Sequence, residues 1–275
     1  MAAWIFTPDA VTPRSVIVCV PGGTFSKLYY HPDAGGATGY SMAEFLRARG
    51  HLVVVLDNLG VGDSSRPANG DGLDKMVMAD ANAQAIAFVM ERVKAGDLSS
   101  GLPAIDDLKV IGVGHSMGGL SSVVLQANHG SFDALAVLGW TNQRGANTGH
   151  QRAIDPNYTA ISRDDVRSFF HLPDVPAAVI AADDRHAEPV PSAMLVDAGR
   201  EGASSAEAAR IHVPVFMCFG EVDLCPTPHL EPATYPKSRD LTLMVLTGSA
   251  HNHNFSSNRL RLFRRLAAWI EGLEP

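Results

Sequence analysis

The chain has 275 residues, 46% of them hydrophobic and 19% charged, and its 22 Lys and Arg against 29 Asp and Glu leave a formal charge of −7. That acidic balance argues against a nucleic-acid partner, and the composition is that of a globular protein rather than a disordered, fibrous or membrane one. A folded chain of this length buries about 70–75% of its unfolded surface, enough for a core without disulfides.

Cys19, Cys218 and Cys225 are an odd set with no Cys-x-x-Cys spacing, so a secreted disulfide framework is not expected. The first residues lack a basic segment followed by an apolar one, and no apolar run approaches the roughly 18 residues that span a bilayer. The expectation is a cytoplasmic protein with no membrane partner; oligomeric state is not legible.

In chain order, short apolar runs alternate with helical patterns. Residues 15–20 (SVIVCV) read as a buried strand, and Ser41-x-x-Glu44 has the form of a capping box opening a helix over 41–49, with Gly50 placed to end it. A strand follows at 51–56 (HLVVVL). The next helix covers 73–95, where Met76, Ala79, Ala83, Ile86, Met90 and Val93 recur at helical spacing and Gly96 stands as a C-cap. Strands at 109–113 (KVIGV) and 134–140 (ALAVLGW) flank a helix at 118–129. Strands at 213–219 (VPVFMCF) and 241–246 (LTLMVL) precede a last helix at 256–271, with Leu260, Phe263, Leu266 and Trp269 on one stripe.

These strand runs are continuously apolar, as strands covered on both faces are, and their alternation with helices predicts a mostly parallel α/β sheet flanked by helices. The rhythm breaks over 141–211, where only 177–181 (AAVIA) has strand character and 163–171 has a helical pattern. The core is assigned to 1–140 and 212–275, and 141–211 to a helical lid inserted over one end of the sheet.

The strand at 109–113 runs straight into Gly114-His115-Ser116-Met117-Gly118-Gly119 and then into a helix. G-x-S-x-G in this context is a nucleophile elbow: a tight turn exposes the serine oxygen, and glycines two residues away on either side let neighbouring chain approach. A serine nucleophile needs a base at the same sheet edge. The loop after the last strand carries both His251 and His253. His251, directly off the small-residue turn, is the expected base, and His253 orients the loop or touches substrate. The base needs an anion, and Asp223 follows the strand 213–219, with Glu221 as its rival; the loop Thr141-Asn142-Gln143 offers no carboxylate. Asp57, in Asp57-Asn58-Leu59-Gly60-Val61-Gly62-Asp63-Ser64, reads as the residue that holds a glycine turn. Cys225 reads as a packing residue.

For the oxyanion, Met117 supplies one backbone N–H at a helix N-terminus, and Gly23 or Thr24 of Pro21-Gly22-Gly23-Thr24-Phe25 supplies the second. No phosphate-binding glycine pattern follows that loop, and His-x-His has no third ligand at metal spacing, so no metal or organic cofactor is expected. Candidate substrate contacts are Phe25, Tyr29 and His115 beside the serine, Phe169 and Phe170 in the lid, and His253. His31, His51, His129, His150, His171, His186, His212 and His229 read as surface or packing positions.

The chain order Ser116, Asp223, His251, the elbow after a central strand, the glycine loop and the D-x-x-G-x-G-x-S turn together resemble the α/β-hydrolase superfamily. The resemblance implies a sheet of about eight strands with a cap inserted after the sixth. The chain departs from many relatives in having Pro21 before the glycine pair and Thr24 after it. Relatives that open haloalkanes or epoxides carry aspartate where Ser116 stands, which leaves acyl chemistry. The expected function is a serine hydrolase acting through an acyl-enzyme on a small to medium, largely apolar ester or lactone. The alternatives are a C–C bond hydrolase, thioesterase or perhydrolase of the same fold, or a ligand receptor on a hydrolase scaffold.

Overall fold

Runs of five apolar residues, each wholly buried, form the middle of the sheet: β2 (Val16–Val20), β3 (Leu52–Leu56) and β5 (Ala134–Leu138). In the computed structural model, which describes residues 1–9, 12–143 and 154–273, they are joined by β1 (Ala3–Phe6) and β4 (Val110–His115). The strands β8 (Val215–Val222) and β9 (Leu241–Ala250) complete a seven-stranded sheet of order β1-β3-β2-β4-β5-β8-β9. β1 is antiparallel to β3 and the other pairings are parallel. The count among the described residues is seven rather than about eight, and β1 was missed because four residues at an edge carry little periodic signal.

Side chains alternate across β2 and β3, so each strand feeds two cores. Val16, Val18, Val20, Leu52, Val54 and Leu56 pack under α2 (Lys75–Ala95) and α3 (Met117–His129). Ile17, Cys19, Val53 and Val55 face the opposite layer, with Met42, Ala43 and Leu46 of α1 (Met42–Arg47) and Leu262, Phe263 and Leu266 of α8 (Arg259–Glu271). The expected Ser41 and Gly96 caps form: Ser41 Oγ accepts from the Glu44 amide at 2.9 Å, and α2 ends at Gly96 with φ +71°; its start is capped by Asp74. The box at α1 is half made, because the Glu44 carboxylate turns to Arg47 instead of returning to Ser41.

Between β5 and β8 lie, in order, β6 (Tyr158–Thr159), α4 (Arg163–Phe170), α5 (Ala177–Arg185), β7 (Val190–Pro191), α6 (Ser192–Ala198) and α7 (Ser205–Ala208). This insertion follows the fifth strand, not the sixth, and residues 144–153 of the expected lid, His150 among them, lie outside the described residues. The AAVIA run is the start of α5, not a strand. Five apolar residues are too few to separate the two periods, three of them are alanine, and Pro176 stands at the N-cap.

The strand order reverses at β2: β3 lies on one side of it and β4 on the other. In open α/β sheets the crevice beyond the carboxyl ends at such a reversal is where ligands sit. Val20, the last residue of β2, is in register with Gly114, so the loop after β2 and the turn after β4 leave the sheet side by side.

Candidate active site

Ser116 occupies the turn between β4 and α3 with φ +53° and ψ −123°, a conformation L-residues avoid. Close packing enforces it. A β-carbon at Gly118 would collide with the carbonyls of Val20 and Pro21, and one at Gly22 would come within 2.9 Å of Ser116 Cβ. Both glycines are therefore required by approach of the chain to itself, and the elbow is pressed against the loop that follows β2.

β8 and β9 extend beyond the strands read from sequence, in register as far as Val222 and Ala250, with an irregularity between Gly220 and Val222. The residue after each end turns into the crevice. Ser116 Oγ lies 2.9 Å from His251 Nε2, and His251 Nδ1 donates to Asp223 Oδ1 at 2.7 Å. Asp223 accepts three more hydrogen bonds: from the Gly220 amide (2.7 Å), the Leu224 amide (2.7 Å) and His253 Nε2 (2.9 Å). Burial alone would raise its pKa, but the charge and hydrogen bonds of His251, then those of His253, outweigh it and hold the carboxyl well below the usual carboxylate range. Glu221, the rival acid, is exposed and accepts from the Gly248 amide.

His115 donates Nε2–H to the His251 carbonyl at 2.9 Å and stacks on Tyr29 with ring centroids 4.2 Å apart. Fully buried, and near His251 and His253, it is held well below the ordinary histidine range and is neutral. The thiols are poor nucleophiles here: burial raises Cys19 and Cys218, and pushes Cys225 up to about 11.

Thr24 has φ +68° in a turn closed by Phe25 N–H to Gly22 O, a position that favours glycine and costs a β-branched residue about 1–3 kcal/mol. Arg163 of α4 spans it, donating from Nη1 to Thr24 Oγ1 (2.5 Å) and from Nη2 to Thr24 O (3.2 Å), and Glu188 N–H also donates to Thr24 O (3.0 Å). Asp183 of α5 pairs with Arg163 at 3.3 Å and with His171 Nε2 at 2.7 Å, all three side chains being buried.

Beside this loop is a small open pocket lined by Gly22, Gly23, Thr24, Met117, Asn58, Val61, Met78, Val190, Pro191 and Met194. None of these side chains is charged. Its position answers the chemistry of the turn: the first amides of a helix have no partner within the helix, and Met117 opens α3 at the pocket wall. A serine oxygen bonded to an imidazole, the imidazole bonded to a carboxylate, and free amides at a helix start can together activate a hydroxyl and stabilise an oxyanion.

A sequence model of the alpha/beta hydrolase family matches residues 17–265. The chain belongs to that family.

Solved structures agree with the membership. This alpha/beta hydrolase superposes on an esterase from Exiguobacterium antarcticum with a TM-score of 0.69 at 16% identity, over 98% of this chain and 94% of that one. A lipase-esterase related protein from Clostridium acetobutylicum gives 0.67 at 10% identity, over 97% and 98%. A methylesterase from Arabidopsis gives 0.63 at 18%, over 94% and 100%. At such identities the likeness is one of fold. No curated protein sequence matches the chain.

The sequence-derived candidates separate into groups in this hydrolase. Ser116, His251, Asp223 and His253 form one hydrogen-bonded set, and Met117, Gly23 and Thr24 meet at the pocket. Phe25, Tyr29 and Phe170 lie outside the lining of that pocket. They are buried in an aromatic stack, Phe25 lying 5.0 Å from Tyr29 and 5.7 Å from Phe170. Phe169 stacks on the His251 ring at 4.5 Å, and the Phe169 carbonyl accepts from the His251 amide, which places it over the imidazole.

Asp57 holds its turn: it accepts from the Lys27 and Asp63 amides and pairs with the buried Lys27 ammonium at 2.5 Å. Cys225 sits in a polar nest with Thr141 and the buried Glu231. Arg163, Asp183, His171 and Glu231 were not singled out as functional, because no spacing rule brings such distant charges together.

Among the described residues there is no group of three or more His, Cys, Asp or Glu placed to hold a metal ion, and no helix long and apolar enough to cross a membrane.

Proposed function

We propose that this alpha/beta hydrolase is a serine esterase, cleaving a small to medium, largely apolar carboxylic ester or lactone, with the insertion over the pocket acting as its lid. The continuous hydrogen-bonded series Ser116–His251–Asp223 carries the reading, together with a pocket without charged walls that Met117, the residue after the serine, lines.

In the reaction Ser116 Oγ attacks the acyl carbon while His251 Nε2 takes its proton. Asp223 keeps Nδ1–H directed at itself, so Nε2 is the basic nitrogen, and it stabilises the imidazolium that forms. The oxyanion accepts from the Met117 amide and from Gly23 or Thr24. Collapse of the tetrahedral intermediate expels the alcohol, which takes the proton from His251, and leaves Ser116 acylated. Water then attacks the acyl-enzyme with His251 again as base, releasing the acid.

An apolar wall of Met78, Met194, Val61 and Val190 suits a hydrocarbon acyl group, and it offers no cation to a phosphate or a polycarboxylate. Ser116→Ala, assayed on p-nitrophenyl esters and lactones of graded chain length, is expected to lose turnover and to escape labelling by a fluorophosphonate probe. Wild-type turnover by that variant would exclude a serine mechanism.

A further inference from the structure

We propose that Arg163 is a positioning residue: from the insertion it holds Thr24 in its left-handed backbone conformation, so that seating of α4 and completion of the oxyanion loop are one event. The inference rests on the esterase reading, in which the loop holding Gly23 and Thr24 supplies an oxyanion donor.

The geometry leaves little other work for this side chain. Thr24 is a β-branched residue at φ +68°, and the loop contains no aspartate, asparagine or glycine at that position to accept such a conformation freely. Arg163 grips both ends of the residue, its hydroxyl through Nη1 and its carbonyl through Nη2. The fork matters, since two donors on one plane fix an orientation that a single point charge does not.

The arginine is itself fixed. It lies over the Phe25 ring at 4.4 Å and the Phe170 ring at 5.2 Å, and Asp183 holds Nη2 from α5 while His171 holds Asp183. Every member belongs to the insertion except Thr24 and Phe25, which belong to the loop after β2. The same Thr24 carbonyl also takes the Glu188 amide, a second link from the insertion. Loss of these donors leaves a threonine free to leave an unfavourable conformation, and the amides on either side of it turn with it.

The test is a cycle built on backbone tolerance. Arg163→Met with Asp183→Asn removes both charges together, so no buried carboxylate is left alone, and the methionine keeps contact with Phe25 and Phe170. The pair is expected to lower kcat about 10-fold or more with KM nearly unchanged, and to weaken a boronic-acid inhibitor in proportion while product carboxylate binding stays as it was. In a Thr24→Gly background, where the left-handed conformation carries no penalty, the same pair is expected to cost less than about 3-fold.

An equal loss in both backgrounds, or unchanged kcat in the first, overturns the inference. If the paired variant does not fold, Arg163→Lys, which keeps charge but not the fork, is read in the same cycle with the same criteria. Failure of the esterase reading is distinguishable, because it would show as turnover and probe labelling that survive Ser116→Ala.

Discussion

His115 sits beside the nucleophile, fully buried and neutral, with Tyr29 stacked on one side and the rings of His251 and His253 at 4.7 and 5.5 Å. On acidification the unfolded chain protonates this imidazole near pH 6.5, while the folded state refuses the proton, so stability must fall as pH drops through that value. For one such group the loss between pH 7 and pH 5 is bounded at about 2 kcal/mol, the limit for an imidazole that stays neutral in the folded state throughout. Asp223 does not contribute in this window. Its folded pKa is depressed, so its stabilisation is complete above the unfolded value near 4 and is lost only below it.

The perturbation is His115→Gln, whose side-chain amide can keep the donation to the His251 carbonyl but does not titrate. The variant is expected to be less stable than wild type at pH 7, through the lost stack on Tyr29. Its stability should nevertheless decline less steeply between pH 7 and 5 than that of wild type, by up to about 2 kcal/mol. Urea unfolding at constant ionic strength, with equal m-values verified, measures the difference. Parallel pH profiles for the two proteins would mean that His115 takes up a proton in the folded state, and the account of a neutral buried imidazole would be wrong.

Replacing His253 by Phe leaves Asp223 Oδ2 with only the Gly220 amide, and kcat/KM for an ester is expected to fall about 10-fold, with part restored by His253→Gln; unchanged kcat/KM would show that His253 serves only packing. Asp57→Ala strands the Lys27 ammonium in a buried site whose other partner, Asp63, is exposed, and is expected to cost about 3–5 kcal/mol in chemical unfolding; a loss under about 1 kcal/mol would refute the buried pair. Met194→Ala widens the pocket and should raise the ratio of octanoyl to acetyl ester turnover at least about 3-fold. Equal losses on both esters would place Met194 outside the acyl site.

The sheet was legible because its strands are buried on both faces and read as apolar runs, and the elbow because its glycines are forced by sterics that act within five residues. The two histidines and Asp223 were legible for a topological reason: parallel strands deliver their following loops to one edge. The pocket wall was not. Phe25, Tyr29 and Phe170 stand out because they are aromatic and belong to the loop after β2 or to the insertion, yet a side chain that leaves such a segment can point into the layer below as easily as into the crevice. Met78 and Val61 line the pocket from α2 and the Asp57 turn, and the stripe read from sequence carried Met76, which is exposed, in place of the buried Met78. The buried set of Arg163, Asp183 and His171 was equally hidden, since its partners on the loop after β2 are more than a hundred residues away.

The hydrogen-bonded pair Ser116 and His251 is assembled from distant parts of the chain. Ser116 and His251 are 135 positions apart, whereas His251 and Asp223, on the ends of two paired strands, are 28 apart. A folding chain that has paired β2 through β5 holds its hydroxyl in place with nothing to deprotonate it, and one that has paired β8 with β9 holds a base with nothing to act on. Docking of β8 on β5 joins them. On the proposed serine mechanism, catalytic output therefore reports the integrity of the whole sheet rather than of any local segment.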